Sequence, residues 1–227
     1  MSERPEYPAA LLAHLPAVDT IIDLGAGTGE FTELLAITGK RILAIEPVAD
    51  MAARIRRYAN VEVVVGSAEA IPLSDAVAGL VCCATAFHWF DYAKATSEIL
   101  RVLDRGGALA LIWNMRDDRV PWIAKFSAVL SSYAGAAPRR SMSEWRAIFG
   151  DDRFEHAISE SYLTSQLVSA SGIVDRALST SFIAALPQSE QESVRQRIMA
   201  VVERQFFDRE RIEFPYVTEL HLFRKRG

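Results

Sequence analysis

The residues with the clearest chemical use stand near the start of the chain, where Ile21-Ile22-Asp23-Leu24 runs into Gly25-Ala26-Gly27-Thr28-Gly29. An apolar strand that ends on an acid and then on three alternating glycines leaves its carboxyl edge bare of side chains. Backbone can approach a ligand closely there, in conformations that glycine adopts at little cost. About twenty residues past the first glycine, a second apolar strand, Arg41–Ile45, ends in Glu46. In a doubly wound sheet this places a carboxylate beside the glycine turn, where it accepts hydrogen bonds from both hydroxyls of a ribose. The pattern implies an adenosine-containing cofactor.

The spacing also bears on which cofactor. A dinucleotide fingerprint reads G-x-G-x-x-G, its third glycine allowing close strand–helix packing beside a pyrophosphate. Here the spacing is G-x-G-x-G, and Glu30 takes the place of that third glycine. Glu30 and Asp23 together repel a pyrophosphate but suit a ligand that carries a sulfonium and an ammonium. The electrostatics point to S-adenosylmethionine. Two other readings stay open at this stage: a nicotinamide-dependent oxidoreductase, and a non-catalytic protein that binds S-adenosylmethionine to regulate a partner.

Asp23–Gly29 resembles the first motif of the class I S-adenosylmethionine-dependent methyltransferases, and further likenesses follow in the family's order. Glu46-Pro47 resembles the ribose-binding acid and its neighbour, and Met51 falls where an apolar side chain packs on the adenine. Gly66-Ser67-Ala68-Glu69-Ala70-Ile71-Pro72-Leu73 resembles the adenine-edge loop. Arg101-Val102-Leu103-Asp104-Arg105-Gly106-Gly107 is similar to the turn before the fifth strand. Ala86–Asp91 and Leu111–Asp117 are similar to a small-molecule, type 11-like branch that includes trans-aconitate methyltransferase-like proteins. The resemblance implies a Rossmann-like α/β fold. Its seven-stranded sheet is mostly parallel with the last strand antiparallel, and it carries helices on both faces and a helical cap. It implies cofactor contacts from Tyr7, Asp23, Gly25, Ala26, Gly27, Thr28, Gly29, Glu46, Pro47, Met51, Ser67, Ala68, Glu69, Ala84 and Thr85. Two positions depart from the family pattern: Ser67 stands where Asp is common, a weaker acceptor for an exocyclic amine, and Arg105 replaces a turn proline.

Bulk properties fit one α/β domain. The chain has 227 residues, half of them apolar, enough for a substantial core. No apolar run reaches the roughly eighteen residues that span a bilayer. The net charge of −4 does not favour a nucleic-acid groove. Residues Met1–Pro8 lack signal-peptide character, so the expectation is a cytoplasmic enzyme with a small-molecule partner, not a nucleic acid or a membrane. Adjacent Cys82 and Cys83 point to opposite faces of a strand and read as small buried residues rather than a bridge. His14, His88, His156 and His221 have no ligand spacing, and no metal is expected.

Strand and helix patterns alternate, as in a parallel sheet covered on both faces. Strands are expected at 20–24, 41–45, 61–65, 79–84 and 108–113, with helices near 11–15, 30–37, 49–58 and 92–103. Further on, the pattern predicts helices over 121–133, 142–149, 170–186 and 189–206, a loop at 135–138, a sixth strand within 154–168 and a last strand over 214–224, inserted by the family resemblance between strands five and six. The chain is read as one domain, with 1–115 as cofactor-binding core, 116–210 as mainly helical cap plus strand six, and 211–227 as last strand.

The implied chemistry is displacement at a sulfonium methyl, in which positioning, desolvation and removal of an acceptor proton supply the rate. His88 follows strand four at the carboxyl edge, where open α/β sheets bind ligands, and is the candidate base; packing is its structural alternative. Trp89, Trp113, Asn114 and Arg116 share that edge, with aromatic rings to exclude water and Asn or Arg to hold an anionic acceptor. For Trp113, ordinary burial competes with this role; for Arg116, a surface pair with Asp117 or Asp118 does. Phe182 lies in a helical stretch expected to close on the acceptor, with core packing as its rival reading. Arg4 or Tyr7 is placed to contact the methionine carboxylate, with a disordered N-terminal arm as the rival reading; Arg139-Arg140 reads as a solvated pair, with a clamp on a carboxylate from the cap as the alternative. The preferred reading is methyl transfer to a small molecule, at a carboxylate or hydroxyl oxygen.

Overall fold

The computed structural model describes residues 6–134, 144–206 and 209–227. Arg4, Arg139-Arg140, the loop at 135–138 and the first residues of the helix expected at 142–149 lie outside the described residues. Seven strands form one sheet: β1 (Thr20–Leu24), β2 (Arg41–Glu46), β3 (Val61–Val65), β4 (Ala78–Ala84), β5 (Leu103–Arg116), β6 (Phe154–Val168) and β7 (Ile212–Lys225), in the order β3-β2-β1-β4-β5-β7-β6. The inner pairs are parallel, with Ile21 opposite Ile42 and Leu80, and Cys82 opposite Ala110. The last strand runs antiparallel between β5 and β6. Thr218 reaches Asn114, while Pro215 receives the amide of Asp117, so β7 descends as β5 ascends.

Strands β1, β2 and β4 are apolar on both faces because both faces are covered. Ile22, Leu43, Val81 and Cys83 are fully buried, as are Ile42, Leu80 and Cys82 on the alternate positions. Helix α1 (Glu30–Ala36) joins the latter set through Phe31, Leu34 and Leu35. Helix α3 (Tyr92–Val102) is capped by Asp91, which accepts from the Lys94 amide, and buries Ala95, Ile99 and Val102 at helical spacing. Cys82 and Cys83 are free thiols within this core.

Helix α2 is shorter than its pattern predicts. It covers only Ala49–Ala52, then tightens into turns in which the amides of Arg54 and Ile55 bond three residues back. The departure carries Ile55 under the glycine turn: a Cβ on Gly29 would stand 3.0 Å from Ile55 Cγ2. Strand β5 begins earlier than expected because Leu103 already pairs with Ala78, and Leu80 next pairs with Ala108, so the Asp104–Gly107 turn is an outward bulge.

Two compact units organise the chain. The first contains Tyr7–Asn114, the described part of Arg140–Tyr162, and Thr218–Gly227. The second contains the described parts of Met115–Arg139 and Leu163–Val217. In this second unit, helices α4 (Pro121–Ser132), α5 (Ala170–Leu178), α6 (Ser181–Ala184) and α7 (Gln188–Phe206) share a core of Trp122, Phe126, Ile173, Ile198 and Phe214. The single helix expected over 170–186 is two, because the hydroxyls of Ser179 and Thr180 both turn back to the Arg176 carbonyl and compete with helix bonding. No helix among the described residues is long and apolar enough to cross a membrane.

Candidate functional site

At the end of β1 the chain turns through positive φ at Gly25, Gly27 and Gly29. Gly25 has φ +76°, and a Cβ there would lie 2.6 Å from Ala86 Cβ and 3.2 Å from the Phe90 ring. A side chain at this position therefore meets both backbone strain and a rigid obstacle. The amides of Gly25 and Ala26 both bond to the Ile45 carbonyl, which ties the turn to the end of β2.

Glu46 ends β2 beside that turn. Its Oε2 accepts from the Gly27 amide at 2.9 Å and its Oε1 from the Val48 amide at 3.0 Å. Two backbone donors thus aim a largely buried carboxylate, next to exposed Pro47. Met51 is half-buried, its Cε 3.7 Å from where a Gly27 Cβ would stand. Thr28 donates to Glu30 Oε1 at 2.7 Å.

Asp23 is fully buried. Its Oδ2 accepts from Thr32 at 2.6 Å, while Oδ1 has no hydrogen-bond partner among the described residues. Burial raises its pKa to about 7 against the lowering effect of the Thr32 bond, and the neighbouring Glu30 and Glu46 raise it further. Three carboxyl groups therefore surround the turn. An orphaned buried carboxyl oxygen and a turn with no room for a side chain fit a cationic adenosyl cofactor, and the acids disfavour a pyrophosphate.

After β3, Ser67 pairs with Ala70 in a small bridge and Ala68 is buried. Glu69 Oε1 accepts from the Asp91 amide at 2.9 Å, joining this loop to the start of α3. Beyond Ala84, Thr85 stands at φ +53°, unusual for a β-branched residue and a cost of about 1–3 kcal/mol. Its amide donates to the Ile112 carbonyl at 2.7 Å, and its hydroxyl lies 3.2 Å from the Tyr7 hydroxyl. Tyr7 itself packs edge-on against Phe31.

His88 and Trp89 follow in a short 3-10 helix, their rings 5.0 Å apart. His88 is half-buried, its Nδ1 has no hydrogen-bond partner among the described residues, and burial lowers its pKa, which favours the neutral ring. Trp89 is 58% exposed, high for a tryptophan. Trp113, by contrast, is buried, with its ring 4.0 Å from that of Trp145. Asn114 Oδ1 accepts from Thr218. In the other unit, Arg116 donates to Ser127 at 3.1 Å and Phe182 packs against the helical core.

The first unit thus brings Tyr7, the glycine turn, Asp23, Glu46, Met51 and Thr85 into a connected set. Phe90, which lines Gly25, was not among the residues singled out by sequence, although its place two residues after His88 is a usable signal. Trp145, the neighbour of Trp113, had no sequence signal because it stands 32 positions away (145 minus 113). No group of three or more metal-ligating side chains occurs among the described residues.

A sheet of this order, with acids around its first turn, is that of a class I S-adenosylmethionine-dependent methyltransferase. The chain belongs to that family. A family described as "Methyltransferase domain" matches residues 22–111. An uncharacterized methyltransferase-like protein of Schizosaccharomyces pombe is 38% identical over 199 residues, covering 84% of this chain and 78% of the relative. A malonyl-[acyl-carrier protein] O-methyltransferase of Methylococcus capsulatus is 39% identical over 116 residues, 46% of this chain and 42% of its own length. A solved structure from Anaeromyxobacter dehalogenans, assigned as a type II methyltransferase, superposes with a TM-score of 0.76 at 21% identity, over 99% of this chain and 98% of that one. The cofactor is S-adenosylmethionine, and the nicotinamide-dependent alternative is set aside.

Proposed function

We propose that the enzyme methylates an oxygen, carboxylate or hydroxyl, of a small cytoplasmic metabolite. The observation that carries the cofactor half of this reading is the Glu46 carboxylate, aimed by the Gly27 and Val48 amides beside a turn too tight for side chains. Glu46 is assigned the ribose hydroxyls. Met51, Pro47 and the Ser67-Ala68-Glu69 loop are assigned the adenine. Asp23, Gly25–Gly29 and the Tyr7–Thr85 pair, with Ala84 beside it, are assigned the methionine end. When bound, S-adenosylmethionine supplies an electrophilic methyl group on a positive sulfur.

The remaining work falls to the chain's own residues. Neutral His88 is assigned as the acceptor of a hydroxyl proton, and exposed Trp89 as the ring that keeps water from the methyl group. Trp113, Asn114, Arg116 and Phe182 are assigned to acceptor binding. Selection of the acceptor is assigned to the helical unit, in which no part of the cofactor motif occurs. The O-methyltransferase relative supports oxygen as the acceptor atom. The test is a screen of pooled metabolites for release of S-adenosylhomocysteine, followed by mass analysis of the product. An O-methyl product is expected; methyl transfer to nitrogen, carbon or a macromolecule alone would overturn the reading.

A further inference from the structure

At the carboxyl edge of the sheet in the first unit, two buried nitrogens, Trp113 Nε1 and His88 Nδ1, lack a hydrogen-bond partner among the described residues. The strands that deliver them are neighbours. Ala84 pairs with Ile112, and the Thr85 amide donates to the Ile112 carbonyl at 2.7 Å. The Asn114 amide lies 3.5 Å from Thr85 Oγ1, so Trp113 stands level with Thr85, and His88 follows in the turn Phe87–Trp89. Ile112 joins the core that faces α1, which turns Trp113 to the opposite face of the sheet. There the 3-10 segment Glu144–Gly150 packs against the turn Phe87–Trp89. The Tyr92 hydroxyl donates to Asp151 at 2.9 Å and Arg153 donates to Thr96 at 2.9 Å, which ties the end of this segment to α3. Trp145 on the segment lies 4.0 Å from Trp113, ring to ring, and fixes the plane of that indole; Arg146 lies 4.8 Å over the Trp145 ring.

Buried polar groups are rarely left unbonded, so two at one edge mark a place where a ligand completes the bonding. Trp113 Nε1 only donates, and neutral His88 with its proton on Nε2 accepts at Nδ1. A hydroxyl satisfies both atoms at once: its oxygen accepts from the indole and its hydrogen goes to the imidazole. A carboxylate has no hydrogen to give. Glu46, Glu69 and Asp91 follow the ends of β2, β3 and β4 on this same edge, and their field opposes an anionic acceptor. Trp89, exposed beside His88, offers an aromatic face, which packs well on another flat ring.

We propose that Trp113 Nε1 and His88 Nδ1 hold one neutral hydroxyl carried by an aromatic ring, so that the acceptor is a phenol. This rests on the methyl-transfer reading above and narrows it. The phenolic oxygen forms the bond to the methyl carbon as the carbon–sulfur bond breaks, and that electron pair stays on sulfur. The O–H proton passes to His88 Nδ1. The products are an aryl methyl ether, an imidazolium and S-adenosylhomocysteine.

The test gives the full chain S-adenosylmethionine with phenol, p-cresol or naphthol, beside cyclohexanol, benzoate and naphthoate, and reads S-adenosylhomocysteine release. Release with at least one phenol is expected, at a kcat/KM at least about 10-fold above that of the alcohol and the carboxylates. Trp113→Phe keeps a ring and removes the N–H, so KM for that phenol should rise about 10-fold with kcat nearly unchanged. His88→Gln should lower kcat by about 100-fold near neutral pH, and the loss should shrink toward pH ~10, where a phenol ionises without a base. That profile carries the test if Trp113→Phe does not fold. Turnover confined to the alcohol or the carboxylates, no turnover of any phenol, an unmoved KM in folded Trp113→Phe, or a His88→Gln loss independent of pH would each overturn the site. Calorimetry with S-adenosylhomocysteine separates the two readings: saturable heat without phenol turnover sinks the phenol site alone, and no heat sinks the methyl-transfer reading as well.

Discussion

Replacing Asp23 by Asn tests whether the glycine turn rests on a carboxyl group that titrates near neutral pH in the free protein. Asp23 is fully buried, with one oxygen bonded to Thr32 and the other without a hydrogen-bond partner among the described residues, and burial raises its pKa from 3.8 to about 7. Because the folded-state value lies above the unfolded one, folding favours the protonated form. The stability this contributes is complete below the unfolded pKa and is lost as pH rises through the folded pKa. At about 1.4 kcal/mol per pKa unit, the whole span is on the order of 4 kcal/mol, of which roughly 2.5 falls between pH 5 and pH 8. Urea unfolding without ligand, followed at both pH values, should show the native protein losing that amount on alkalinisation. Asp23→Asn, isosteric and uncharged, should lose much less. Equal losses in the two proteins would refute the buried-carboxyl argument. The same logic makes binding of the cationic cofactor release a proton near pH 7, because a nearby positive charge stabilises the carboxylate. Calorimetry in two buffers of different ionisation enthalpy reads that proton directly.

Two further outcomes are expected. Glu46→Ala should weaken S-adenosylhomocysteine binding by about 1.5–3 kcal/mol in a calorimetric titration, through loss of charged acceptors for the ribose, and unchanged affinity would remove Glu46 from the ribose site. His88→Gln should lower kcat by about 100-fold for a hydroxyl acceptor while cofactor affinity stays the same, and an unchanged kcat would reduce His88 to packing.

The local text of the chain determined the sheet and its first turn. Val/Ile-rich runs placed β1 and β3 at the residues they occupy, because strand patterns and glycine-dependent backbone are short-range properties, while partial alternation located β6 only within 154–168. It also placed Glu46 beside the turn, since a β-α-β crossover leaves little freedom in where the second strand ends. What it could not determine were contacts that depend on distant segments meeting. Helix α2 stops early because Ile55 is drawn under Gly29, and α5 stops because Ser179 and Thr180 bond back to Arg176. The pairing of Trp113 with Trp145, and of Arg176 with Tyr216, joins residues far apart in sequence. Burial is likewise a tertiary property. Asp23 is an acid in any chain, but only the packed core around it raises its pKa to about 7.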